Sequence, residues 1–133
     1  MTTLHTWDAI VPGLLGAVLL VTTAYAQIPL PSATPPDGAM LFKQQCATCH
    51  TTNETDPARQ GPTLFKVVGR RAGSIDGFKY SSGFAKADFV WNEARLDDWI
   101  ANPQAMIPGS VMAYRQTRPE VRAAVIAYLK ELQ

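Results

Sequence analysis

The 133-residue chain is poor in metal-binding and redox side chains, with only two cysteines, Cys46 and Cys49, and two histidines, His5 and His50. It also lacks a dominant charge, since 12 Lys+Arg stand against 11 Asp+Glu for a formal net charge of +1. So even a balance supplies no field for nucleic acid or an acidic membrane surface, and no nucleic-acid partner is expected. No stretch alternates polar and apolar residues with period two, which removes the usual signature of a half-buried strand. The length suits one ordinary domain with a tail and is short for two.

The N-terminus differs in composition from the remainder of the chain. Ala9 to Val21 carries no charge and leads to Ala24-Tyr25-Ala26 before Gln27, the A-x-A pattern of a secretory signal. The residues ahead of it contain His5 and Asp8 but no Lys or Arg, a departure from the usual basic start. Counted from Ala9 to Ala26 the stretch is 18 residues long, with Pro12 and Gly13 inside, at the lower edge of what spans a bilayer. Residues 1–26 are therefore expected to be a signal peptide or an uncleaved anchor, and either one exports the domain. Residues 27–36 hold four prolines, Pro29, Pro31, Pro35 and Pro36, and form a spacer without helix. The folded domain is expected over 37–133.

Cys46-Ala47-Thr48-Cys49-His50 concentrates the scarce chemistry in five residues. A redox dithiol would use Cys46 and Cys49, but that motif belongs beside a βαβ pattern and has no need of the histidine. A structural zinc site wants four Cys or His ligands, and the remaining histidine, His5, lies in the expected leader. The third reading attaches a c-type haem: the thiols add to the porphyrin vinyl groups and His50 binds the iron. Residues three and four apart share one helix face, so all three side chains can meet one flat ligand at a helix end.

The rest of the chain agrees with a haem pocket. Asp37 to Thr48 reads as a helix capped by Asp37, with Met40, Leu41 and Phe42 as its apolar face. Another begins near Asn92, runs through Leu96, Trp99 and Ile100, and stops near Asn102 ahead of Pro103. Thr117-Arg118-Pro119-Glu120 has the form of a capping box, after which Val121, Val125, Tyr128 and Leu132 recur at helical spacing. Between Thr51 and Glu93 there are seven glycines and prolines and only fragments of helical pattern. So much irregular chain needs an organiser, and a buried haem is one. The fold class is all-α, three main helices with long loops.

These pieces occur in the order found in the class I cytochrome c family, which the chain resembles over nearly all of Asp37 to Gln133. The carriers of the resemblance are Gly38 and Phe42 ahead of the Cys46–His50 motif, Gly61-Pro62-Thr63-Leu64, Gly69-Arg70-Arg71-Ala72-Gly73 and Gly77-Phe78-Lys79-Tyr80. Trp91, Asn102-Pro103, Ile107-Pro108-Gly109-Ser110-Val111-Met112 and Ala127-Tyr128-Leu129-Lys130 continue it. The resemblance implies one covalent haem c, a fold in which the first and last helices cross, and one-electron transfer without catalysis.

It also implies roles for single residues. His50 corresponds to the proximal iron ligand and Met112 to the distal one; with no histidine left, a thioether is the other common axial donor. Met106, before the Pro108-Gly109 turn, competes for that place, and Met40 reads as core. Pro62 matches the proline whose carbonyl accepts the proximal histidine N–H. Arg70, Tyr80, Trp91 and Ser110 match positions that bind or neutralise the haem propionates. Trp99 stands where many members carry tyrosine, replacing a hydroxyl by an N–H that only donates. Phe84 replaces an amide, which implies a drier pocket.

Expected partners are donor and acceptor redox proteins in the periplasm, reached by a monomer that is free or tethered through its N-terminus. The alternatives are a dedicated haem subunit of one oxidoreductase and a small haem peroxidase or gas-binding protein. Basic residues gather in Lys66, Arg70 and Arg71 and in Arg115, Arg118 and Arg122, with Glu93, Asp97 and Asp98 as an acidic patch. Were the basic residues to ring the haem edge, they would steer acidic partners.

Overall fold

The computed structural model describes residues 34–132; the expected leader, and the spacer up to residue 33, lie outside the described residues. The first helix, α1 (Gly38–Gln45), begins where Asp37 Oδ1 accepts the N–H groups of Ala39 and Met40 at 3.0 and 3.1 Å, satisfying two of the donors a helix start leaves free. It ends three residues before the expected Thr48. The N–H groups of Cys46 and Ala47 converge on Phe42 O at 2.8 and 3.0 Å, so the spiral widens and the motif continues as turns. There the N–H groups of Cys49 and His50 both reach Cys46 O at 3.0 Å.

α2 (Glu93–Ala101) follows Asn92, whose side-chain oxygen accepts the Arg95 N–H at 2.8 Å. Pro103 ends α2 as expected and opens the single turn α3 (Pro103–Met106), because a proline lacking an N–H is tolerated in a first turn. α4 (Pro119–Glu131) starts one residue later than a Thr117 capping box would place it. Glu120 Oε1 instead takes the Nε–H of Arg118 at 2.7 Å, so the reciprocal cap does not form.

α1 packs across α4, and α4 across α2. The close approach at the first crossing requires Gly38, since a Cβ there would stand 2.1 Å from Ala124 O. Phe42 and Tyr128 meet beside it with ring centroids 5.5 Å apart. One face of α4 buries Val121, Val125, Ile126 and Leu129; Leu129, 2% exposed, contributes about 1.5–3 kcal/mol by burial. Met40 is not core. At 56% exposure it lies two residues, about 200° of helix, from both Gly38 and Phe42.

No named strand occurs among the described residues; one antiparallel bridge joins Arg71 and Val90. The long segment between α1 and α2 is held instead by aromatic rings and one short 3-10 turn, Ser82–Lys86. Phe78, Tyr80, Phe84, Trp99, Trp91 and Phe89 touch in succession with centroids 4.8–5.7 Å apart. Offset and edge-on contacts of this kind stabilise beyond their buried area, and all of these rings but Phe89 line one side of a large cleft.

Candidate functional site

The cleft has a volume of about 360 Å³ and is mainly apolar. Cys46 and Cys49 reach it from the turns after α1, and His50 follows directly. Two bonds fold the next loop back onto the motif: Gly61 N–H to Cys49 O and Leu64 N–H to Thr51 O, both 2.8 Å. They carry the Pro62 carbonyl to 2.8 Å from His50 Nδ1. A carbonyl only accepts, so Nδ1 bears the proton and Nε2 keeps a lone pair. Burial favours this neutral ring by lowering the His50 pKa, the Pro62 bond opposing it in part.

Burial, helped by the neighbouring Cys49, pushes the Cys46 thiol up to about 11. Dithiol exchangers work through a lowered thiol pKa, and the Cys46 thiol is shifted the opposite way. What remains is two thiols and one imidazole facing an apolar cavity.

Polar groups enter the cleft sparingly. Arg70 donates from Nη1 to Phe65 O at 2.6 Å and from Nη2 to Thr63 O at 2.8 Å, and burial lowers its pKa. No carboxylate pairs with it among the described residues. Tyr80 accepts the Ile75 N–H at 3.3 Å, which leaves its own O–H free to donate. Trp91 and Trp99 are buried, and neither indole N–H meets a protein acceptor among the described residues. Two cations without a carboxylate partner among the described residues, Arg70 and Lys79, and three spare donors in an apolar cavity suit a large flat ligand that carries acidic groups.

Met112, half-buried against the core, lines the same cleft. Its competitor Met106 lines a separate pocket with Ile107 and Pro108. Nine of the ten expected site residues thus border the cleft: Cys46, Cys49, His50, Pro62, Arg70, Tyr80, Trp91, Trp99 and Met112. Ser110 does not. It is buried beside α3, where its hydroxyl receives the amide of Gln104 at 3.0 Å. Sequence reading overlooked Gln45 and Tyr114, which also line the cleft; Gln45 offered a signal in directly preceding Cys46.

The helices and this donor set define a protein built around a single covalently held haem. The family model described as "Cytochrome c" matches residues 36–133. The chain is 42% identical over 103 residues to cytochrome c of Theileria annulata, covering 77% of this chain and 89% of that protein. It is 38% identical over 123 residues to cytochrome c2 of Rhodomicrobium vannielii, covering 91% of this chain and 94% of that one. The chain belongs to the cytochrome c family. It therefore carries one covalent haem c with iron, for which Cys46, Cys49 and His50 supply the C-x-x-C-H motif, and it is a one-electron carrier with redox-protein partners.

Proposed function

We propose that the protein shuttles electrons between redox complexes in an exported compartment, the periplasm, and that His50 and Met112 are the side chains that would hold the haem iron. Bound haem supplies an iron that gains and releases one electron. The observation carrying this reading is the pair of donors on one apolar cleft: an imidazole whose Nδ1–H is spent on Pro62, leaving Nε2 free, and the Met112 thioether. Pro62 fixes the ring orientation and its donor strength. Arg70, Tyr80 and Trp91 offer donors to the acidic edge of the ligand, and Phe84 and Trp99 exclude water. Ser110 acts by shaping the turn before Met112 through Gln104.

Were Met112 to hold the iron together with His50, no place would be left there for a substrate, and an apolar surround would favour a raised potential. The residues lining the cleft include no carboxylate, and His50 is their only histidine, so a peroxidase would lack its usual polar helpers. The reading of residues 1–26 as leader or anchor rests on the uncharged run Ala9 to Val21 followed by Ala24-Tyr25-Ala26. Among the described residues no helix is long and apolar enough to cross a membrane, so a tether would rest on residues 1–26. We take the carrier to be a monomer.

The test is an absorption spectrum of oxidised and reduced protein with a pyridine haemochrome assay, repeated on Met112→Ala. Covalent haem and a weak near-infrared thioether band that disappears in the variant are expected. A band that survives the substitution would refute Met112, and carbon monoxide binding to the reduced wild type at neutral pH would favour the gas-binding alternative.

A further inference from the structure

The stretch that carries Met112 is fastened by side chains. Between Val111 and Arg115 the chain makes no backbone–backbone hydrogen bond among the described residues. Arg115 makes only a long contact, 3.5 Å from Nε to Ala101 O. The principal tie is a ring of three polar groups, Gln45, Tyr114 and Gln116.

The direction of each bond in that ring follows from its neighbours. Gln116 Oε1 accepts the backbone N–H of Arg118 at 3.1 Å, which turns its amide nitrogen inward. Nε2 then donates to Gln45 Oε1 at 3.1 Å and to the Tyr114 hydroxyl at 3.2 Å. The phenolic proton is left for Gln45 Oε1, and that bond is made. All three are half-buried side chains, so the bonds are sheltered from competing water.

The ring joins parts that are fixed on both sides. Gln45 ends α1 next to Cys46. Gln116 is anchored to the helical frame, its N–H on Ile100 O at 2.9 Å and its carbonyl receiving Arg122 Nη1 at 3.0 Å. Tyr114 lies two residues beyond Met112, and both side chains line the cleft.

We propose that Gln45, Tyr114 and Gln116 form a clasp that keeps the Met112 thioether in place over the cleft, and that it controls how easily another ligand takes that place. The three are positioning residues, and the inference rests on reading Met112 as the distal donor. Removing the Tyr114 hydroxyl takes one of two partners from the Gln45 amide oxygen and one from Gln116 Nε2, which keep only their bond to each other. The loop then has no strong polar tie between Ser110 and Gln116.

The experiment is an imidazole titration of the haem-loaded full chain, followed by loss of the near-infrared thioether band, in wild type, Tyr114→Phe, Gln45→Leu and their double variant. Each single variant is expected to bind imidazole about tenfold more tightly, the scale of one lost hydrogen bond. The double variant should be no tighter than either single one, because both break the same ring. Gln45→Glu, which keeps an acceptor for the hydroxyl, should stay near wild type. Affinities within twofold of wild type would overturn the clasp, even where the melting temperature falls, since that pattern marks a merely structural contact. A wild type without the band and as open to imidazole as Met112→Ala would overturn both the clasp and the Met112 reading. A wild type with the band and unresponsive variants would overturn the clasp alone.

Discussion

Gly61 lies so close against His50 that a Cβ on it would stand 2.2 Å from Cε1 and 2.5 Å from Nδ1 of the imidazole. The ring is thus held between the bare Cα of one residue and the carbonyl of the next. Gly61→Ala must displace either the loop or the ring, an overpacking cost of about 1–3 kcal/mol. The variant should lose stability on that scale in chemical denaturation, and its haem-loaded yield should fall severalfold as the Pro62 bond is lost. An unchanged yield and denaturation midpoint would show that the loop yields freely.

Tyr80 links pH to stability. Burial raises its phenol above the ordinary 10.0, and the Ile75 N–H and the Arg70 charge offset only part of that. The folded protein then holds this proton more tightly than the unfolded chain, which titrates first as pH rises. The contribution is complete below pH 10 and is lost as pH climbs through the folded value, so stability declines on the alkaline side. Urea denaturation from about pH 8 upward should show that decline in wild type and a shallower one in Tyr80→Phe. Identical slopes would assign the decline to other groups.

Steering by charge should be weak. Of the basic residues expected near the haem edge, Arg71 pairs with Asp88, Arg118 with Glu120 and Arg122 with Asp97, while Arg70 is turned onto backbone carbonyls. From Asp37 onward the chain keeps all 12 Lys+Arg and loses only Asp8 from its 11 acids, for a net +2. Val111, at the cleft beside Met112, is 81% exposed. The electron-transfer rate with an acidic redox protein should change less than about threefold between low and physiological ionic strength. Val111→Lys should raise the low-salt rate about twofold to threefold and leave the high-salt rate alone. A steep wild-type salt dependence in stopped-flow measurements would contradict this.

Features read correctly from sequence depend on residues close together along the chain. Asn92 and Pro103 bracket α2 because a cap and a proline act within one helical turn. The five residues from Cys46 to His50 declare haem because attachment needs both thiols and the imidazole within one turn of chain. Local rules failed where a neighbour in space outcompeted a neighbour in sequence. Arg118 captured the Glu120 carboxylate, so the Thr117 cap did not form. Asp97, read as part of an acidic patch, is held by Nε and Nη2 of Arg122 at 2.7 and 3.1 Å. Lys130 likewise takes Glu93.

The amino-acid sequence by itself determined the cofactor and the helical class, since these follow from residue types and from spacings of a few positions. Only the tertiary structure decided which methionine shares the cleft with His50, which charges are spent on each other, and that Gln45 meets Tyr114 and Gln116 across 69 and 71 residues. Hydrogen bonds and packing act over a few ångströms whatever the chain separation, so pairings of this kind leave no periodic trace and exist only once α1, α2 and α4 have met.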